Sequence, residues 1–99
     1  MKCQSYESFF ENFSNKTRIN IIESLLKGEK SVNNICQDIK EEQSKVSHNL
    51  KRLSDCNFLE VKQQGKKRIY SLNKETIIPL LNLVSKHVHK YCGEGCKLH

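Results

Sequence analysis

No apolar run in these 99 residues approaches the roughly 18 that a membrane span requires. The Lys2 to Phe13 start also lacks the hydrophobic core and cleavage site of a secretory signal. A cytoplasmic protein is therefore expected. Pro79 is the only proline, and no internal repeat, low-complexity segment or linker interrupts the chain, which reads as a single domain over residues 1–99. No nucleophile, base and orienting group can be assembled from named residues, so an enzyme is not expected. Acidic residues are in deficit, eleven against seventeen Lys and Arg, a formal net charge of +6. That balance favours a polyanion such as double-stranded DNA, with an anionic membrane surface second. Five cysteines is an odd number, and cytoplasmic thiols stay reduced, so an internal disulfide scaffold is not expected; metal binding, redox sensing or packing remain.

What is present is organised around residues 31–59. Val32, Ile35, Cys36 and Ile39 recur at the intervals of one helix face, and Val46, Leu50 and Leu53 do so again beyond the polar stretch Lys40 to Gln43. Two short amphipathic helices therefore flank a turn, a helix-turn-helix over 31–56. Ser31 and Ser44 are the expected N-caps. With the second helix's apolar residues inward, its outer face carries Gln43, Ser44, Lys45, Ser47, His48, Lys51 and Arg52. Short polar and long cationic side chains together suit base edges and phosphates. An ordinary solvated face in a cationic chain has the same composition.

Leu59 to Gln64 and Lys67 to Leu72 alternate apolar and polar residues around Gly65-Lys66, which predicts a β-hairpin over 59–72. Lys62, Lys66, Lys67 and Arg68 make its tip basic, fit for a phosphate backbone or for discouraging strand pairing at an exposed edge. Upstream, Tyr6, Phe9, Phe10 and Phe13 form an aromatic stripe on a helix over about Ser5 to Phe13, suited equally to the domain's own core or to a contact with a second copy. Asn15 to Lys27 reads as a helix with Ile19, Ile22, Leu25 and Leu26 inward and Gly28 as its terminator. A last helix over about 74–91 presents Ile77, Leu80, Leu81, Val84 and Val88; Pro79 either bends it or lies in its permissive first turn. The order predicts a mainly α fold with a two-stranded β-hairpin wing: a winged helix-turn-helix with an extra helix at each end.

Asn15-Lys16-Thr17-Arg18, the Ser44 to Leu53 pattern and Gly65 to Leu72 together resemble the ArsR/SmtB family of metal- and stress-responsive repressors, over roughly Ser8 to Tyr91. The resemblance implies a homodimer joined through its terminal helices, with Phe9, Phe10, Phe13, Ile77, Leu80, Leu81, Val84 and Val88 at the interface. It also implies recognition helices in successive major grooves of an operator, and DNA release on binding an inducer. Asn49 stands where the family often has His, a departure that alters a base or phosphate contact. The family's Cys-Val-Cys metalloid site is replaced by Ser31, Val32 and Asn33, whose oxygens are poor ligands for a soft ion. Its zinc site on the last helix is replaced by Lys74, Thr76, His87 and Lys90, where two lysines repel a cation.

The C-terminal tail offers ligands of its own, H-x-H-x2-C-x3-C-x2-H over 87–99. His89, Cys92, Cys96 and His99 are the expected set, with Cys3 of a second copy able to complete it. Such donors suit Zn(II), Cu(I) or As(III) as the inducer. Two alternatives remain: a thiol redox or persulfide response through Cys92 with Cys96 or Cys36, and a winged-helix protein-binding adaptor with a metal-binding tail. Cys36 and Cys56 read as small core residues.

Overall fold

The computed structural model describes residues 3–92. The first helix, α1 (Tyr6–Phe10), is capped by Ser5, whose hydroxyl accepts from the Ser8 N–H at 3.1 Å. It tightens at once into a 3-10 turn, Glu11–Phe13, so the expected helix is α-helical only in its first half. Asn15 caps α2 (Lys16–Leu26) by accepting from the Arg18 N–H at 3.0 Å. Gly28 follows at φ 144°, a conformation that side chains disfavour and that takes the chain out of the helix.

A strand that the sequence pattern does not announce comes next, β1 (Lys30–Ser31). Two residues are too few to carry an alternating pattern. Ser31 then caps α3 (Val32–Ile39), as expected, by accepting from the Asn34 N–H at 3.3 Å. Lys40, at φ 56°, reverses the chain toward α4 (Gln43–Asp55). Ser44 does not cap this helix. The helix starts two residues earlier than a Ser44 cap requires, behind Glu42, and the Ser44 hydroxyl donates to Glu42 Oε1 at 3.0 Å.

The exit of α4 is closed by Asn57 at φ 59°, with the Asn57 N–H donating to Ser54 O at 2.9 Å and the Phe58 N–H to Leu53 O at 3.0 Å. This pair of bonds satisfies carbonyls that the helix end leaves open. The hairpin follows directly: β2 (Leu59–Gln64) pairs antiparallel with β3 (Lys67–Leu72), from Leu59 opposite Leu72 to Gln64 opposite Lys67. Gly65 takes φ 61° at the first central position, which a tight two-residue turn requires. Lys30 and Ser31 pair with Tyr70 and Ile69, giving a three-stranded sheet in the order β1-β3-β2. Asn73 joins the wing's two ends: its Nδ2 donates to Asn57 O at 2.9 Å, and its Oδ1 accepts from the N–H groups of Glu75 and Thr76.

Because those bonds hold the approach, α5 (Ile77–His87) begins late, and Pro79 lies in its first turn, where its missing N–H breaks no helical bond. The expected helix from 74 is thus a capped turn to Thr76, then α5, then a π-helical segment, Val88–Cys92. The core gathers Ile21, Ile22 and Leu25 of α2, Ile35 of α3, Val46, Leu50 and Leu53 of α4, Phe58, Leu59, Tyr70 and Leu72 around the wing, and Ile77 and Leu81 of α5. Phe9 and Phe13 pack on it, their rings 4.9 and 5.4 Å from that of Phe58. The aromatic stripe therefore serves the protomer's own core through Phe9 and Phe13, while Phe10 faces outward.

Cysteine pairing departs from expectation. Cys3 and Cys56, separated by 53 positions, are joined by a disulfide with a Cα–Cα distance of 4.9 Å. Cys56 is therefore not simply a core residue, and Cys3 is engaged with it. Local spacing could not reveal the pair, since the N-terminal segment and the end of α4 meet only in the folded chain.

Candidate nucleic-acid interface

The inner face of α4 is sealed, with Val46, Leu50 and Leu53 at 0, 1 and 0% exposure. The face opposite leaves Gln43, Ser44, Lys45, Ser47, His48 and Lys51 exposed. Lys45 pairs with Glu41 at 3.4 Å and Lys51 with Asp55 at 3.6 Å. Surface pairs of this kind contribute little and exchange readily for a phosphate.

Arg52 is placed differently. It is half-buried, and its Nη2 donates to Glu11 Oε1 at 3.4 Å. It belongs to a cluster that ties α4 to the N-terminal elements. Arg18 Nη1 donates to Asn49 Oδ1 at 3.0 Å, Arg18 Nη2 to Glu11 O at 3.1 Å, and Asn49 Nδ2 to Lys45 O at 2.9 Å. Burial and the neighbouring Arg52 both pull the Arg18 guanidinium below its ordinary pKa, while Glu11 opposes them. Asn49 is buried in this cluster. It therefore positions α4, and the expectation that it alters a base or phosphate contact is corrected. Arg18 was the residue missed; its signal was the Asn15 to Arg18 stretch, read only as a family mark.

The wing tip keeps Lys66, Lys67 and Arg68 exposed, and Lys62 pairs with Glu29 at 3.3 Å. At the opposite chemical extreme, Phe10, Leu26 and Leu83 stand at 56, 47 and 64% exposure. Phe10, Phe13, Ile19, Leu26, Leu80 and Val84 line an apolar groove of about 260 Å³ between α1, α2 and α5. Of the residues assigned to a dimer contact, Ile77 and Leu81 are buried in the protomer's own core; Leu80, Val84 and Val88 are half-buried. Leu26 and Leu83 were not singled out for that contact.

Among the described residues, no three of His, Cys, Asp and Glu come together as a metal site. His89 and Cys92 are exposed on the π-helical segment. The ring of His87, at the end of α5, lies 4.9 Å from that of Tyr91. Cys96 and His99 lie outside the described residues.

Residues 15–61 match the model of the bacterial regulatory proteins of the arsR family. Over those residues the chain carries a domain of the arsR type. Among solved structures, the arsR-type fold is shared with Rv0081 of Mycobacterium tuberculosis, at 26% identity and a TM-score of 0.79 over 89% of each chain. A homodimeric winged helix-turn-helix DNA-binding domain of Mycobacterium bovis, a possible ArsR-family regulator, aligns at 22% identity and a TM-score of 0.79 over 100% of this chain and 99% of that one. The antimony-specific transcriptional repressor AntR aligns at 22% identity and a TM-score of 0.68 over 82% of this chain and 74% of that one. No curated protein sequence matches at a significant level. The arsR-family domain makes this chain a DNA-binding regulator by fold and not an enzyme. No helix among the described residues is long and apolar enough to cross a membrane.

Proposed function

We propose that this arsR-family protein is a homodimeric, cytoplasmic repressor that holds double-stranded operator DNA through α4 and the wing and lets go on binding a soft or borderline metal ion. The observation that carries the DNA reading is the two-sided character of α4: one face sealed in the core, the other exposing Gln43, Ser47 and His48 among Lys45 and Lys51. The polar residues have the reach for base edges, and the cations, with Lys66, Lys67 and Arg68, for phosphates. The apolar groove beside the exposed Leu26 and Leu83 supports a dimer joined through the terminal helices, as does the homodimeric domain of the same fold.

The inducer site of this reading is the tail set of Cys92, Cys96, His89 and His99, with Zn(II), Cu(I) or As(III) as the ion. Its thiolate and imidazole chemistry supports it, and a metalloid-specific repressor shares the fold. Cys3, bonded to Cys56 in the structure, is open to this set in the reduced form alone.

Fluorescence anisotropy of duplex DNA from the gene's own upstream region, titrated with reduced, metal-free protein, tests both parts. The expected result is tight binding with a steep negative log-log salt dependence. Changing Lys66, Lys67 and Arg68 to Ala should make that slope shallower by about one for each side chain that had neutralised a phosphate. One of the three ions should then release the DNA from the native protein and not from Cys92→Ser or Cys96→Ser. Binding indifferent to all three would remove the metal. No retention of duplex at low salt would sink the repressor and favour a protein-binding adaptor.

A further inference from the structure

We propose that Cys3 and Cys56 form a reversible thiol–disulfide lock that controls DNA affinity, with the oxidised form the weaker binder. The proposal rests on the DNA-binding reading for its consequence, and on the geometry alone for the lock itself. A disulfide joins Cys3, just before α1, to Cys56, the residue that ends α4. In the reducing compartment where a DNA-binding regulator works, a disulfide is transient and sensing rather than structural. Both cysteines are only half-buried, so small thiols and disulfides have access.

The surroundings suit both redox states. Asn12 is fully buried; its Nδ2 donates to Phe9 O at 3.0 Å and approaches Cys3 Sγ at 3.6 Å, while its Oδ1 has no donor among the described residues. Reduction leaves the Cys3 sulfur beside this amide, whose Nδ2–H can go on donating to it while keeping its bond to Phe9 O.

The sign follows from Arg52. It lies one helical turn before Cys56, and Glu11, its ion-pair partner, adjoins the Asn12 that Cys3 packs against. With the bond closed, the N-terminal elements and the end of α4 are fixed together, and Arg52 is held on Glu11 and away from a phosphate. With the bond open, Arg52 is free to exchange partners. The chemistry balances with a low-molecular-weight disulfide as oxidant. One cysteine thiolate attacks it and expels a thiolate; the second attacks the mixed disulfide, closes the Cys3–Cys56 bond and expels the other. The two protons leave to solvent or to the expelled thiolates, and two thiols are produced for one disulfide consumed.

The test uses the full chain with Cys36, Cys92 and Cys96 changed to Ser, equilibrated with dithiothreitol or with glutathione disulfide. Peptide mapping should find a Cys3–Cys56 link formed on oxidation and broken on reduction. Amide exchange over residues 6–13 should slow in the linked form. Duplex affinity should fall about tenfold on oxidation and recover on reduction, while Cys3→Ser keeps the reduced affinity under both conditions. No intramolecular link, no change in exchange, or a linked form binding within about twofold of the reduced one overturns the proposal. Reduced protein that never binds duplex would instead defeat the DNA reading, with mapping and exchange still reporting on the lock.

Discussion

The outer faces of α4 and α5 are both exposed helix surfaces, and they ask for opposite partners. On α4, Lys45, Ser47, His48 and Lys51 surround nothing apolar. On α5, Leu83 stands in water beside a groove lined by Leu80 and Val84. A helix secured through one face is free to specialise the other, but the two faces here are secured differently. The α4 face rests on a sealed stripe and a buried polar cluster of Arg18 and Asn49. The α5 face has only Ile77 and Leu81 fully inside. The polar surface is thus complete within one protomer, whereas the apolar surface leaves large side chains such as Leu83 in water.

The most severe way to break this contrast is to remove what the two regions share. Phe58 is buried between the exit of α4 and the rings of Phe9 and Phe13. Phe58→Ala should cost about 3–5 kcal/mol of stability in urea unfolding, with α1 losing its seat. A smaller effect is expected from Leu83→Glu, which puts a charge on the apolar face without touching the core. Sedimentation should then shift from dimer toward monomer, with monomer stability changed by no more than about 0.5 kcal/mol. If the dimer survived, the α5 face would not be the contact.

The least effect belongs to Asp38, which lies on neither face. Its Oδ2 accepts from the Ser24 hydroxyl at 2.6 Å and pairs with Lys27 at 3.5 Å. The Ser24 bond holds its carboxyl below the usual pKa, with Lys27 and Lys30 adding to it against an opposing effect of desolvation. A lowered folded pKa gives stability that is complete above the ordinary carboxylate value, about 4, and is lost as pH falls through the lowered one. Asp38→Asn should therefore flatten the acid side of a melting-temperature profile and leave the profile's shape unchanged near neutrality.

The α4 face was legible because its pattern is local: Val46, Leu50 and Leu53 declare the buried side, and the cations fall opposite. The wing was legible for the same reason, down to the Gly65 turn. What escaped was set by distant partners. Asn49 was expected to alter a base or phosphate contact, and it is Arg18, 31 positions away, that holds it inside. Pro79 could not be interpreted without the Asn73 bonds that delay α5. The Cys3–Cys56 pair spans 53 positions and leaves no periodic trace. The Ser44 cap failed by two residues, within the range over which helix ends are hard to place from sequence, because α4 starts behind Glu42 without a side-chain cap.

The Asn73 side chain has a consequence for how such a domain can be altered. By bonding to Asn57 O across 16 positions, it brings the two ends of the wing to one point. The hairpin's base is then fixed by this bond, by Leu59, Tyr70 and Leu72 in the core and by the pairing of β3 with β1, and its exposed tip is the part that can be shortened, lengthened or exchanged while the helices keep their packing. Exchanging only the tip between Val61 and Ile69 would alter the basic turn and leave the core and the α4 surface as they are.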